Sequence, residues 1–267
     1  MRFTEPKEVS KDIQIVGLHA FNDNYLWLIH DNSRAVIVDP GDASVVIAAL
    51  QHFSLELEAI LITHHHPDHI GGVNNLKQRY PNADIYGPNS PNIASVEHKL
   101  SEDEHVTILD SLRLSVLEVP GHTLDHIAYY TEAPTALLFC GDTLFAGGCG
   151  RMFEGTPDQM LNSLVKLKQL APETLVYCAH EYTQANLDFA IAVEPNNKLL
   201  AQRIADTKLA RENNIATVPS NIAIEMSTNP FLRCNKPDVK NSALLQGAIV
   251  KDDVSTFAAI RKWKDSF

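Results

Sequence analysis

Up to about residue 180, short apolar runs alternate with polar punctuation in one repeated arrangement: each run stops, and a side chain able to bind metal follows at once. Residues 35–38 stop at Asp39-Pro40-Gly41-Asp42, and residues 59–62 stop at Thr63-His64-His65-His66-Pro67-Asp68-His69. Residues 112–119 alternate and then stop at Pro120-Gly121-His122, residues 136–140 stop at Gly141-Asp142, and residues 175–179 stop at His180. Runs of this length and character predict strands buried in a layered core. Ligand residues at their ends would share one rim.

Between the strands the spacing changes to a helical one. Thr156 can cap, Pro157 suits a first helical position, and Met160, Leu161, Leu164, Leu167 and Leu170 keep one apolar face. A further helix is expected from near Gly71 to Tyr80, its positive end beside the histidines. After Tyr182 the texture shifts: residues 184–194, 197–213 and 252–263 are helical in period, broken by Pro195, Pro219, Pro230 and Pro237. A boundary is therefore expected near residue 182, with a first domain over 1–182 and a small helical domain over 183–267 that depends on packing against the first.

Composition narrows the function classes. A chain of 267 residues with 45% hydrophobic content is globular, and the polar start and absence of any run of about 18 apolar residues predict a protein of the cytoplasm with no membrane span. With 33 acidic against 22 basic residues, a nucleic-acid partner is not expected. The four cysteines, Cys140, Cys149, Cys178 and Cys234, form no C-x-x-C pair and are read as reduced, buried thiols. Cys149, in a glycine-rich loop, has no base placed beside it by the local sequence.

The chemistry lies in the histidine cluster. His-x-His-x-Asp-His after a buried strand delivers several nitrogen donors and a carboxylate to a small volume, which suits zinc, iron or manganese. His65, between two candidate ligands, should point elsewhere. His126 and Asp39 fit a hydrogen bond to a ligand as well as turn or capping duty, and His19, His30, His52, His98 and His105 are expected to face solvent.

These residues resemble the metallo-β-lactamase superfamily and, within it, the hydroxyacylglutathione hydrolases (glyoxalase II). The resemblance rests on the histidine motif, Gly121-His122-Thr123, Gly141-Asp142-Thr143-Leu144-Phe145 and Ala179-His180-Glu181-Tyr182-Thr183, in that order. It implies an α/β fold, a four-layer αββα sandwich followed by a C-terminal α-helical domain. It assigns His64, His66 and His122 to one metal and Asp68, His69 and His180 to a second, with Asp142 bridging. Two divalent ions are thereby implied, zinc foremost, with iron or manganese accepted by the same donors.

The resemblance also implies hydrolysis of S-D-lactoylglutathione to D-lactate and glutathione by a metal-bridging hydroxide, with Asp68 as a candidate proton acceptor and Asp142 completing the centre. Arg151, Phe153 and Tyr182 match positions that meet glutathione, although Phe153 stands where many relatives carry tyrosine and so lacks the phenolic donor. Arg261 and Lys264 match positions that bind the glycine carboxylate, against the plainer reading of a solvated basic helix end. A glutathione thioester is thus the expected partner, and a monomer the expected state. The alternatives are a persulfide dioxygenase, which holds one iron with fewer ligands, and a non-catalytic metal-binding scaffold, which should have lost a ligand.

Overall fold

The apolar runs are strands in the computed structural model, which describes residues 3–132, 134–250 and 252–267. Contacts divide the chain into two units, Met1–Glu118 with Asp125–Gly141, and Val119–Leu124 with Asp142–Phe267.

In the first unit, β1 (Lys7–Ser10), β2 (Ile13–Ala20), β3 (Asn24–His30) and β4 (Arg34–Val38) form an antiparallel meander. After α1 (Ala43–Phe53), β5 (Glu56–Leu61) joins β4 in parallel. The short helices α2 (Pro67–Ile70) and α3 (Val73–Arg79) follow, and β6 (Asp84–Pro88) and β7 (His98–Leu100) continue the parallel half of this seven-stranded sheet. Then β8 (His105–Ile108), β9 (Leu112–Glu118), β10 (Ile127–Thr131) and β11 (Leu137–Gly141) pair antiparallel in succession. Strand β3 is buried along its whole length, as expected of a strand covered on both faces. Val16, Leu18, Leu28, Ile37, Ile60 and Val46 share one core.

The parallel half explains why candidate ligands converge here. Adjacent parallel strands end on the same edge, so the residues that follow β4 and β5 meet there. Asp39 N–H donates to Leu61 O at 2.9 Å, which sets the residue after β4 beside the end of β5.

The helix expected from Gly71 to Tyr80 starts earlier and is interrupted. Pro67 opens α2 inside the histidine motif with His66 as its N-cap, and α3 restarts at Val73. The break has a steric cause. Gly72 N–H donates to Pro40 O at 2.9 Å, and a Cβ on Gly72 would lie 2.5 Å from Ala43 N and from Pro40 O. A side chain at that point of backbone contact would force the segments apart.

In the second unit, β12 (Leu144–Phe145) and β13 (Gly148–Cys149) form a minimal hairpin. Helix α4 (Pro157–Lys168) has the expected start, a capping box in which Thr156 and Gln159 bond reciprocally. Strand β14 (Leu175–Cys178), α5 (Thr183–Val193) and α6 (Lys198–Glu212) follow, then β15 (Ser220–Asn221), which pairs with β14. The chain ends with α7 (Ile222–Thr228), a 3-10 turn (Pro230–Leu232), α8 (Pro237–Leu245) and α9 (Asp253–Asp265). Phe189, Phe231, Phe257 and Trp263 make an aromatic core, with ring centroids 5.1–5.9 Å apart. These geometries are edge-to-face or offset, where the ring quadrupoles attract.

One solvent-facing expectation fails. His30 is buried, its ring stacked on Phe53 at 5.5 Å and its Nδ1 bonded to Asp31 O at 2.8 Å. The fully buried strand that carries it, rather than local polarity, decides its environment.

Candidate metal centre

The first unit holds four of the seven predicted ligands, His64, His66, Asp68 and His69. His64 and His69 are buried with ring centroids 4.0 Å apart, and His66 meets His64 edge-on at 4.7 Å. What orients them is Asp39. Its Oδ1 accepts from Thr63 N–H at 2.8 Å, and its Oδ2 accepts from Thr63 Oγ1 at 2.7 Å and from His69 Nδ1 at 3.0 Å. Because the Thr63 hydroxyl gives its hydrogen to Asp39, its oxygen accepts from His64 Nδ1, 3.0 Å away. One carboxylate thus sets both rings with the proton on Nδ1, directly for His69 and through a hydroxyl for His64. Nε2 is then the nitrogen that could coordinate a metal in each, a division that histidine–metal sites commonly use.

Asp68 is oriented by Asn24, whose Nδ2 donates to Asp68 Oδ2 at 3.0 Å. His65 turns its Nδ1 to Asp125, 2.9 Å from the carboxylate, while its ring meets His66 edge-on at 5.2 Å. His126 stacks on His64 at 4.5 Å and bonds Ile127 O through Nδ1. It packs beside a candidate ligand.

The second unit brings together His122, Asp142 and His180, all buried. His122 Nδ1 donates to Arg151 O at 2.7 Å, so Nε2 is the atom that could coordinate here too. His180 lies flat against Tyr182, with centroids 4.6 Å apart and planes 5° from parallel. Gly150 permits the close approach of the Asp142 backbone and His122: a Cβ there would lie 2.0 Å from Asp142 O and 3.0 Å from His122 Nδ1.

The donor spacings test whether these residues suit a metal. Two donors about 2.0–2.1 Å from one tetrahedral ion lie roughly 3.3 Å apart. His122 Nε2 is 3.4 Å from Asp142 Oδ2, and His180 Nε2 is 3.4 Å from Asp142 Oδ1. His69 Nε2 is 3.5 Å from Asp68 Oδ2. Each spacing matches donors sharing one ion, and Asp142 presents a different oxygen to each imidazole, as a bridging carboxylate must. The residues fit divalent metal ions.

A cavity of about 530 Å³ in the second unit adjoins His122 and Asp142, and Arg151, Phe153, Tyr182, Arg261 and Lys264 all line it. Phe153 is exposed and meets His122 edge-on at 5.3 Å. Arg261 and Lys264 of α9 are not a solvated helix end. Arg261 is 3% exposed, with Nη1 donating to Cys149 O at 2.8 Å and Nη2 to Asp265 at 2.9 Å, while Lys264 donates to Ala185 O at 3.1 Å. Arg151 faces Asp265 at 3.6 Å, an exposed pair that contributes about 0–1 kcal/mol and yields readily to another anion.

Thr63 and Asn24 carry no signal of their orienting roles in the sequence, and Asp39, before Pro-Gly, suits a turn as well. Cys149 also lines the cavity, yet burial pushes its thiol up to about 11, outweighing the lowering by Arg261. With the folded value raised, the thiol stays protonated below that pH. Alkylation of the folded protein by iodoacetamide at pH 8 should therefore be slow at Cys149 and become rapid in denaturant, measured by peptide mass spectrometry.

Residues 21–180 match the model of the metallo-β-lactamase superfamily, and residues 181–267 match that of the hydroxyacylglutathione hydrolase C-terminus. A hydroxyacylglutathione hydrolase of Photobacterium profundum is 48% identical over 256 residues, covering 96% of this chain and 100% of that protein. One from Pseudomonas aeruginosa is 50% identical over 259 residues, with 96% and 100% covered. Among solved structures, the BLEG-1 B3 metallo-β-lactamase aligns with a TM-score of 0.61 at 25% identity, over 82% of this chain and 99% of that one. The fold is accordingly the metallo-β-lactamase αββα sandwich with a C-terminal helical region. The motif order, the donor geometry and near-full-length similarity agree: the chain belongs to the hydroxyacylglutathione hydrolase family of the metallo-β-lactamase superfamily.

Proposed function

We propose that this chain hydrolyses the thioester of S-D-lactoylglutathione to D-lactate and glutathione, with a binuclear centre and zinc as its first-choice metal. The observation that carries the proposal is the preset donor geometry: His64, His69 and His122 each have Nδ1 engaged by the protein, and Asp142 offers one oxygen to each of two imidazoles. His64, His66 and His122 would hold one ion and Asp68, His69 and His180 the other, with Asp142 shared. When bound, such ions lower the pKa of water toward neutrality and polarise a carbonyl oxygen.

The chain's own groups do the rest. Asp68, with Oδ2 held by Asn24, is the proposed proton acceptor through Oδ1. No strong general acid is required, because a thiol of pKa about 8.5 departs as thiolate. Arg151, Phe153, Tyr182, Arg261 and Lys264 are the proposed glutathione contacts, and their shared cavity supports that role. The division into a catalytic 1–182 and a glutathione-binding 183–267 belongs to the same reading, supported by the family matches meeting after residue 180. So do a monomeric state and a cytoplasmic location, the latter in keeping with four buried cysteines outside any disulfide. Among the described residues no helix is long and apolar enough to cross a membrane.

Two measurements test the reading. Purified protein should carry about two metal ions per chain by elemental analysis and consume S-D-lactoylglutathione, followed by loss of thioester absorbance. Metal-replete protein without thioesterase activity would sink the assignment. For the carboxylate contact, Lys264→Ala is the cleaner probe: both side chains bond a backbone carbonyl, but Arg261 is buried against Phe231 and its removal disturbs packing, whereas Lys264 is only half-buried. The Michaelis constant should rise about five- to tenfold with kcat nearly unchanged, the pattern of lost uniform binding.

A further inference from the structure

The hairpin of β12 and β13 is too short to hold itself. Two residue pairs make its ladder, and its turn residues sit inside the second unit where water cannot satisfy them. Buried side chains supply the missing partners. Glu225, 0% exposed on α7, accepts from Gly147 N–H through Oε2 at 2.8 Å. Asn229 Nδ2 donates to Gly148 O at 2.9 Å and to Phe145 O at 3.3 Å, and also to Glu225 Oε2 at 3.1 Å. Asn186 Nδ2 takes Ala146 O at 3.1 Å, and Arg261 takes Cys149 O. From behind, Arg203 Nη2 at 2.5 Å and the Ser220 hydroxyl hold the other oxygen of Glu225.

What leaves this hairpin builds the pocket. Phe145 packs edge-on against His180 at 5.7 Å and Tyr182 at 5.3 Å. Cys149 O receives Arg261, and two residues on Arg151 O receives His122 Nδ1. An aromatic wall, a guanidinium and an imidazole therefore take their settings from one short stretch of chain.

We propose that Glu225, acting with Asn229, is a positioning residue for substrate binding: its grip on Gly147 N–H sets the hairpin and, through it, the glutathione-binding surface. Glu225 touches no substrate. The proposal rests on the glutathione-hydrolase reading and extends it to the turn behind the pocket. A carboxylate suits the place because four donors converge on it, Gly147 N–H, Asn229 Nδ2, Arg203 Nη2 and Ser220 Oγ, and a carboxylate accepts from all of them. A carboxamide would turn its own N–H groups against one side of that set.

The test compares Glu225→Gln with Glu194→Gln. Glu194 is also buried and paired, with Arg233 at 2.7 Å, in the same unit, but among the described residues no bond ties it to the hairpin. Both variants should lower the melting temperature. Only Glu225→Gln should raise the Michaelis constant for S-D-lactoylglutathione and the calorimetric Kd for glutathione by about tenfold, with kcat falling less than the Michaelis constant rises, and speed amide exchange across residues 145–149. Equal effects of the two variants on the Michaelis constant, or an unchanged glutathione Kd in Glu225→Gln, would overturn the proposal. If Glu225→Gln does not fold, Asn229→Ser decides on the same readouts, since serine can still cap Phe231 N–H but cannot donate to both carbonyls. Wild-type protein that neither binds glutathione nor hydrolyses its thioester overturns the functional reading instead.

Discussion

Asp142→Ala should strip metal from the centre and lower kcat/KM by more than about 10³-fold, beyond the roughly 10²–10³ that loss of one transition-state donor costs. The reason is its double duty. Each oxygen stands 3.4 Å from a different imidazole, His122 or His180, so one truncation removes a donor from both proposed ion positions. It also removes a negative charge that would hold two cations near each other. Asp142→Asn separates the two effects: it keeps shape and one strong acceptor, and should retain more metal than alanine does. Metal per chain and kcat/KM on S-D-lactoylglutathione are the readouts. An alanine variant that keeps its metal and its rate would show that Asp142 does not bridge.

Much of the candidate site was legible in the sequence because its residues sit where strands stop. A run such as 59–62 followed by histidines carries both its structure and its chemistry in a dozen residues, and the Thr156-Pro157 start of α4 is equally local. The rest depends on which strands are neighbours. Asp39 acquires its role only because β4 and β5 lie parallel and side by side, which puts the residue after one strand against Thr63 after the other. Arg261, matched in the sequence to a carboxylate-binding position against the plainer reading of a solvated helix end, is enclosed, stacked over Phe231 at 5.1 Å with Nη1 on Cys149 O, contacts that no local pattern announces. The interruption before α3 has the same origin. Gly72 looks like a weak spot in one helix, but it is the point where the Pro40–Ala43 backbone passes within contact distance.

Asp39→Asn should either lower metal affinity about 10- to 100-fold, the usual cost of losing a group that orients a histidine ligand, or cost the fold a buried hydrogen bond, according to which way the new amide turns. Asp39 lies at φ 51°, a left-handed conformation that asparagine also adopts readily, so backbone strain is not what the substitution changes. The hydrogen-bond account changes instead. Asp39 accepts three bonds, from Thr63 N–H, Thr63 Oγ1 and His69 Nδ1, whereas asparagine has one accepting oxygen and two N–H donors. If the amide nitrogen faces Oδ2's former partners, it meets donors on both, and His69 is driven to carry its proton on Nε2, the atom proposed to take the metal. If it faces Thr63 N–H, the β4–β5 edge loses a buried bond, at about 1–3 kcal/mol. The first outcome weakens metal binding without much loss of stability; the second does the reverse. Competition with a chromogenic chelator, alongside thermal unfolding of the metal-free protein, tells them apart, and an unchanged metal Kd with unchanged stability would mean that Asp39 orients nothing. Activity recovered by excess metal would place the defect in affinity, leaving the reacting groups intact.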